Sequence, residues 1–240
     1  MPGRRSDAII GGDRAAVTEM LHSRIAGAVT QRSGTSVCVI GPAGMGKSHL
    51  VRSVLDALAS SDASSAPGGA AALRAVGDHR RRNEPFAVLA QLTGPVPIGE
   101  DPAEVAFDRI DERCAAGPLV AWVDDAHNAD AASLAGLRRL VWASRSLPLT
   151  VVLSARPFPV PEQLELLLRQ VDTTVELPPM DPMMTERLVY DRVGRWPGPR
   201  LRKVLAGAGG NPLFVNELLL ELQADDGLRP VGADTVDIAS

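Results

Sequence analysis

The stretch VIGPAGMGKSHL, residues 39–50, decides the fold. It contains the pattern G-x-x-x-x-G-K-[ST], with Gly41, Gly46, Lys47 and Ser48 at the defining positions. Glycines are needed there because the backbone must approach phosphates closely, with dihedral angles that a Cβ disfavours. Backbone N–H groups of such a loop point at the phosphates, the lysine reaches the terminal phosphates, and the serine hydroxyl binds Mg²⁺. The stretch predicts a phosphate-binding loop for ATP or ADP.

The segments on either side of this loop support that prediction. TSVCVI (35–40) is a short β-branched apolar run, typical of a buried strand, and SHLVRSVLDALA (48–59) carries one apolar face, typical of a helix. The chain has only two lysines, Lys47 and Lys203, and the first occupies the key position. The alternative is a glycine-rich turn without a ligand. The loop residues expected to contact nucleotide are Gly41, Ala43, Gly44, Met45, Gly46, Lys47, Ser48 and His49.

Two acidic residues end a second buried strand, LVAWVDD (119–125). The carboxyl ends of parallel strands form the edge at which α/β sheets bind ligands. Asp124 is expected to hold Mg²⁺ together with Ser48, through water. Asp125 is expected to orient or deprotonate the attacking water. The alternative for Asp125 is a helix N-cap without a catalytic role.

Arg156 follows a third buried strand, LTVVLSA (149–155), at the same predicted edge. Its guanidinium could contact the γ-phosphate of ATP, and the alternative is a surface arginine. His127 and Asn128 are interpreted as turn residues. The basic run at residues 79–82 is interpreted as a solvated loop.

Strands and amphipathic helices alternate up to about residue 178, which predicts an α/β domain, a P-loop NTPase with a mainly parallel β-sheet flanked by helices. Beyond this point only helical patterns remain. We therefore predict a nucleotide-binding domain at 1–177, a small all-helical lid domain at 178–228 and a flexible tail at 229–240. The predicted lid helices are 182–194, 198–208 and 213–224.

The composition is that of an ordinary globular protein of 240 residues, 45% hydrophobic, with a formal net charge of -4. A negative net charge does not indicate a basic surface that could bind a nucleic acid, so we expect no direct DNA binding. No stretch approaches the ~20 apolar residues that cross a bilayer. The two cysteines form no disulfide framework and no signal peptide is recognisable, so we expect a cytoplasmic protein without a membrane partner.

The motifs occur in the order found in the STAND class of signal-transduction ATPases. VIGPAGMGKSHL, LVAWVDDAHNAD, VVLSARP and GGNPLFVNELL (209–219) resemble most closely the ATPase domains of large LuxR-family, MalT-like transcriptional regulators. The resemblance implies an ADP-bound resting form, an ATP-bound active form and slow hydrolysis. It also implies that the turn at Gly210, Asn211 and Pro212 touches the nucleotide.

The resemblance further implies backbone contacts from Ile9 and Ile10 to adenine. The family usually has a G-R-x-x-E entry, and Gly12 and Ala15 replace its arginine and glutamate here. Contacts from those two family side chains are therefore not expected. The helix-turn-helix module and the repeat-rich sensor of the regulators are not recognisable in this sequence. We expect either the ATPase portion of a larger regulator or a stand-alone ATPase that works through a partner.

Three functional hypotheses remain at this point. The first is a nucleotide-dependent switch that hydrolyses ATP slowly and changes its conformation and self-association. The second is a phosphotransferase, since kinases of this fold carry lid arginines and this helical region is rich in them. The third is a nucleotide-binding module without meaningful turnover, because Asp125 is shorter than a glutamate. The lid arginines are Arg187, Arg192, Arg195, Arg200 and Arg202.

Overall fold

The computed structural model describes residues 7–10, 13–61 and 70–239, and the side chains of residues 7–10 and 61 fall outside that description. The chain divides into two compact units. The first unit comprises Met1–Pro42 and Lys47–Leu177, and the second comprises Ala43–Gly46 and Pro178–Ser240. The tip of the phosphate loop thus groups with the C-terminal part of the chain. Gly12 lies outside the described residues.

The described residues of the first unit form a parallel sheet of six strands in the order β1-β6-β2-β5-β4-β3. The strands are β1 (Asp7–Ile10), β2 (Thr35–Ile40), β3 (Ala71–Val76), β4 (Leu119–Asp124), β5 (Leu149–Ala155) and β6 (Thr173–Glu176). Residues of β4 and β5 are buried throughout, as expected for central parallel strands rich in valine and leucine. The predicted P-loop NTPase fold is confirmed. β1 is an additional strand that the sequence pattern does not predict.

In the described ranges of the first unit, six helices flank this sheet. They are α1 (Arg14–Thr30), α2 (Lys47–Ser61), α3 (Ala87–Thr93), α4 (Pro102–Ala116), α5 (Ala131–Ala143) and α6 (Glu162–Leu168). Aspartate side chains cap the N-termini of several of these helices: Asp101 accepts the N–H of Ala103 before α4, and Asp130 accepts the N–H of Ser133 before α5. These caps satisfy amides that a helix start leaves without an intrahelical acceptor. The helix α3 has no counterpart in the sequence-based prediction.

Up to residue 239, where the description ends, the second unit contains three helices and a short three-stranded sheet. The helices are α7 (Pro182–Val193), α8 (Pro199–Ala206) and α9 (Pro212–Ala224), and the strands are β7 (Trp196–Pro197), β8 (Leu228–Pro230) and β9 (Thr235–Ile238). The three predicted lid helices are present with small shifts at their ends. Their core consists of aliphatic side chains from all three helices, including Val189, Leu205 and Val215.

The prediction of an all-helical lid followed by a flexible tail at 229–240 is wrong in this respect. β9 pairs with β7 in parallel and with β8 in antiparallel fashion, and its Val236 is buried in the core of the second unit. Asp237 accepts hydrogen bonds from the backbone N–H groups of Arg200 (3.3 Å) and Leu201 (2.7 Å) at the start of α8. The tail therefore completes the second unit by contacts distant in sequence, which a local periodicity does not reveal.

No helix in the described part of the chain combines the length and the apolar character needed to cross a lipid bilayer.

Candidate functional site

The glycine-rich loop joins β2 to α2, and α2 begins at Lys47. Gly44 and Gly46 have positive φ angles of 76° and 85°, a region that glycine reaches without steric cost. Ser48 and His49 lie in the first turn of α2, where backbone N–H groups have no intrahelical acceptor. This arrangement suits an anion, because the first-turn amides and the positive end of the helix dipole lie where the loop ends.

Lys47 is buried, with 5% of its surface exposed. Its Nζ donates hydrogen bonds to the carbonyl oxygens of Gly41 (2.8 Å) and Pro42 (3.0 Å). Burial lowers the pKa of Lys47, the negative charges of Asp125 and Asp124 raise it, and the positive charge of Arg156 lowers it further. A buried ammonium that is bonded to uncharged carbonyls gains from an anionic ligand, so the position fits a phosphate group.

Asp124 ends β4 and is 4% exposed. Its Oδ1 accepts hydrogen bonds from the hydroxyls of Ser48 (2.8 Å) and Ser154 (2.5 Å). A serine hydroxyl and a carboxylate are the hard oxygen ligands that Mg²⁺ takes beside phosphates and water. In the described residues no group of three or more His, Cys, Asp or Glu side chains could hold a metal by itself. Ser48 and Asp124 therefore fit a Mg²⁺ that the nucleotide phosphates and water help to coordinate.

Asp125 follows β4 in a left-handed backbone conformation, with φ 50° and ψ 45°. Its N–H donates to Ser154 Oγ (2.9 Å), so the Ser154 hydroxyl bridges Asp124 and the backbone of Asp125. Asp125 precedes the 3₁₀ helix Ala126–Asn128, but its side chain makes no capping hydrogen bond. The carboxylate is 36% exposed and its Oδ1 lies 3.9 Å from His127 Nδ1. This geometry leaves the Asp125 carboxylate accessible to a water molecule at the edge of the sheet.

His127 lies in the predicted turn but is buried, with 7% of its surface exposed. Its Nδ1 accepts the backbone N–H of Arg156 (3.3 Å). Burial is the main cause that lowers the pKa of His127; Asp125 opposes it, and the positive charges of Arg156, Lys47 and Arg82 add to it. The imidazole is therefore neutral at pH 7, and its proton lies on Nε2, which has no hydrogen-bond partner within the described residues.

Arg156 follows β5 and its side chain is exposed. Its positive charge lies close enough to Lys47 and His127 to lower the pKa of both. Because β5 lies between β2 and β4, the structure brings Arg156 to the sheet edge that carries Lys47 and Asp124. The predicted residues Lys47, Ser48, Asp124, Asp125 and Arg156 thus meet at one edge of the first unit.

Three further residues are predicted to contact the nucleotide: Met45, His49 and Ile10. Met45 is buried with 5% of its surface exposed, whereas His49 is exposed. Ile10 ends β1 beside Glu176 of β6, and its side chain lies outside the described part. The contribution of Ile10 to adenine binding stays a prediction.

Within the second unit, the turn before α9 is bonded to the tip of the phosphate loop. Asn211 Nδ2 donates to Ala43 O (2.9 Å), and the N–H of Leu213 is shared between Gly44 O (3.3 Å) and Asn211 Oδ1 (3.0 Å). Pro212 is the first residue of α9, and Asn211 is its N-cap. The contact with the loop is therefore made by Asn211 and the backbone amide of Leu213. The contact of Gly210, Asn211 and Pro212 with the nucleotide stays a prediction.

The sequence patterns do not single out Ser154, Arg74 or the buried role of His127. Arg74 lies in β3, with its Nη2 3.4 Å from Asp124 Oδ2. For Ser154 and Arg74, the sequence contains a feature that could have pointed to them. Ser154 is a polar residue near the end of an apolar strand, and Arg74 is the single charge in the strand AALRAV. A lone polar or charged residue in the carboxyl half of a parallel strand is a candidate for the ligand-binding edge.

A strand, a glycine-rich loop and a helix, with a carboxylate at the end of a neighbouring parallel strand, define the class of P-loop NTPases. A family model described as an AAA ATPase domain matches residues 13–152, more than half of the chain. The chain belongs to the AAA ATPase domain family. It is thus an ATPase domain of the AAA type, for whose members nucleotide binding is expected.

Solved structures with the same fold include origin-recognition and Cdc6 proteins. The Aeropyrum pernix ORC1 protein in complex with DNA has a TM-score of 0.63 and 19% identity, covering 89% of this chain and 60% of that chain. The Drosophila ORC bound to DNA has a TM-score of 0.65 and 17% identity, with 92% and 59% covered. Cdc6p from Pyrobaculum aerophilum has a TM-score of 0.63 and 13% identity, with 92% and 65% covered.

The chain spans about 60% of the length of these three proteins. No curated protein sequence is significantly similar to it. At identities below 20% the structures support the fold alone, and function has to be argued from the site.

Proposed function

We propose that the chain is a Mg²⁺-dependent switch ATPase that binds ATP, hydrolyses it slowly and changes its conformation and assembly with the nucleotide state. The single observation that carries the proposal is the buried Lys47 ammonium, held by loop carbonyls at the sheet edge that also carries the bonded pair Ser48–Asp124. A phosphate would replace the carbonyls as the partner of Lys47. Bound Mg²⁺ supplies charge neutralisation of the phosphates.

The roles of the other residues follow from their positions. Asp125 would accept a proton from the attacking water while the oxygen of that water bonds to the γ-phosphorus and the bond to the β-phosphate oxygen breaks. Arg156 would stabilise charge on the γ-phosphate. A carboxylate one methylene shorter than glutamate, as Asp125 is, supports slow rather than rapid turnover.

Coupling of the nucleotide to the second unit is supported by the bonds at the tip of the loop. Ala43 and Gly44 accept hydrogen bonds from Asn211 and from the N–H of Leu213. A shift of the loop tip on phosphate binding would act directly on the start of α9. Such a link between ligand and a moving element is what a nucleotide switch requires.

The order of the motifs along the sequence supports a more specific role. We propose that the domain is the ATPase module of a STAND-class, LuxR-type transcriptional regulator, acting with other regions of a larger protein or through self-association. The net charge of -4 supports a role without direct DNA contact by this chain. ADP-bound and ATP-bound protein should then differ in sedimentation, and duplex DNA should bind weakly at physiological salt.

An open cavity beside Asp125 favours a phosphotransferase as the second candidate. It has a volume of about 420 Å³ and is lined by polar side chains that include Asp78, His79, Asn128 and Asp125 itself. An acceptor hydroxyl in this cavity would take the place of the attacking water. ADP formation without release of inorganic phosphate in the presence of an acceptor would favour this candidate.

The deciding experiment combines calorimetric titration of ADP with an assay of phosphate release from ATP. We expect binding and slow turnover by the wild type, and Lys47→Ala should weaken ADP binding by roughly 100-fold, because a charge-assisted contact is lost from a buried site. Lys203→Ala on α8 is the matched control, since it removes the other lysine. Unchanged ADP affinity in Lys47→Ala would disprove the assignment of the phosphate site.

A further inference from the structure

Arg74 forms an ion pair with Asp124, the carboxylate that is proposed to hold Mg²⁺. Its Nη2 lies 3.4 Å from Asp124 Oδ2, and the side chains of Arg74 and Asp124 are 44% and 6% exposed. Arg74 comes from β3, at the edge of the sheet, where it is the register partner of Trp122 in β4. The guanidinium carbon lies 4.3 Å from the centre of the Trp122 ring. Stacking on tryptophan therefore fixes a positive charge next to the metal-binding carboxylate.

The two oxygens of Asp124 have different partners. Oδ1 accepts from the hydroxyls of Ser48 and Ser154, whereas Oδ2 faces the guanidinium of Arg74. A buried carboxylate carries a negative charge that water screens poorly, so a neighbouring positive charge stabilises it. Arg74 provides a counter-charge that does not depend on a metal. It also reduces the repulsion between Asp124 and the phosphates of a nucleotide bound without Mg²⁺.

We propose that Arg74 is a positioning residue that makes nucleotide binding less dependent on Mg²⁺. The inference rests on the proposed function, in which Asp124 helps to coordinate Mg²⁺ beside the phosphates. With Arg74 present, the negative charge of Asp124 is offset by the guanidinium, so Asp124 would repel the phosphates of metal-free ADP less. The same guanidinium would repel Mg²⁺ at this site. Both effects reduce the gain in ADP affinity that Mg²⁺ brings. The metal-free ADP complex is thereby stabilised relative to the Mg²⁺ complex.

The chain offers a matched control for this arginine. Arg139 on α5 also forms an ion pair, with Nη1 2.9 Å from Glu104 Oε1, and its guanidinium lies 5.5 Å from the centre of the Phe107 ring. Its side chain is 47% exposed, close to the value for Arg74. It differs in having no contact with Asp124. A general effect of losing a stacked surface arginine would therefore appear in Arg139→Gln as well.

The test is calorimetric titration of the full chain with ADP, once in excess EDTA and once in excess Mg²⁺. The measured quantity is the ratio of the ADP dissociation constant in EDTA to that in Mg²⁺. Arg74→Gln should raise this ratio roughly three- to tenfold, the scale of a partly exposed charge contact, mainly through weaker binding in EDTA. Arg139→Gln should leave the ratio unchanged.

Arg74→Lys separates charge from packing, because it keeps the positive charge and loses the planar stack on Trp122. Its ratio should lie between those of the wild type and Arg74→Gln, and this variant carries the test if Arg74→Gln fails to fold. Normal ADP affinity with an unchanged ratio in Arg74→Gln, or equal ratios in the Lys and Gln variants, would overturn the inference alone. Absence of ADP binding by the wild type would overturn the proposed function and the inference with it.

Discussion

Two regions of the molecule are linked to the phosphate loop in different ways. At the carboxyl edge of the parallel sheet the link is made by side chains, since Asp124 accepts hydrogen bonds from the hydroxyls of Ser48 and Ser154. Ser154 also accepts the N–H of Asp125, and His127 accepts the N–H of Arg156. In the turn before α9, the bonds run from one asparagine amide and one backbone N–H to carbonyl oxygens of the loop.

The two regions are expected to serve different purposes: the sheet edge the hydrolysis of ATP, and the turn the link between the phosphate loop and α9. At the sheet edge the charges and tautomers of particular side chains matter, so substitutions there should change the reaction. In the turn the donors are the Asn211 amide and one backbone N–H, so substitutions there other than at Asn211 should change the link to the loop by a small amount.

Asp125→Asn should produce the largest effect. Asparagine keeps the size of the side chain but cannot accept the proton of the attacking water, so phosphate release from ATP should fall roughly 100-fold, the lower end of the range for general-base catalysis. ADP affinity should stay nearly unchanged, because the residue is not expected to contact ADP. Phosphate release and calorimetric ADP binding measure the two quantities.

Asp78→Asn is the control for this substitution, since Asp78 is an exposed carboxylate that lines the same cavity and caps the 3₁₀ helix His79–Arg81. It should leave turnover close to that of the wild type. Equal turnover in Asp125→Asn and the wild type would show that the sheet edge does not supply the base.

Asp237→Ala tests the second unit without touching the turn itself. Asp237 accepts the N–H groups of Arg200 and Leu201 at the start of α8, so its loss leaves these amides without their carboxylate cap. We expect the free energy of unfolding of this unit to fall by about 1–2 kcal/mol, as for other helix caps. Urea unfolding followed by circular dichroism measures it, with Asp234→Ala in the neighbouring turn as the control.

The same carboxylate predicts a pH dependence. Burial alone would raise the pKa of Asp237, but hydrogen bonds from the N–H groups of Leu201, Ile238 and Arg200 outweigh it, so the pKa is lowered from 3.8. A lowered pKa in the folded state means that the stabilisation is present above 3.8 and is lost as the pH falls through the folded-state value. The stability difference between wild type and Asp237→Ala should therefore shrink below pH 3.8. A constant difference would contradict the role of the charge.

The contrast between the two regions also explains how much the sequence alone can predict. The strands β2, β4 and β5 are continuous apolar runs, and the loop has a fixed pattern, so the fold and five of the residues at the sheet edge could be predicted. The order of the strands could not, because chain order does not show that β5 lies between β2 and β4. That order places Ser154 against Asp124.

The second unit was harder to predict because its structure depends on contacts between distant residues. β7 is two residues long, and its partner β9 lies about forty residues later in the chain. Short strands of this kind show no period, so the segment 229–240 resembled a tail. Val236 and Asp237 acquire their roles only through the core and the cap that they complete.

Asn211→Ala should weaken the link between the turn and the loop tip. It removes the bond from Nδ2 to Ala43 O and the cap on the N–H of Leu213. ADP affinity should fall roughly fivefold, the scale of one hydrogen bond. Asn216→Ala is the control, because Asn216 lies on the same helix and bonds to Arg192 and Pro212 instead of the loop. Equal ADP affinity in the two variants would show that the turn acts only as a cap for α9.

Pro212→Ala should have the smallest effect. Proline suits the first position of α9 because it has no N–H to satisfy, and the bond that joins this turn to Gly44 comes from the N–H of Leu213. Alanine can take the same helical conformation, so we expect a loss of ADP affinity of about twofold or less, clearly below that of Asn211→Ala. Calorimetry on both variants measures the difference. A larger loss in Pro212→Ala than in Asn211→Ala would mean that the proline ring itself contacts the nucleotide.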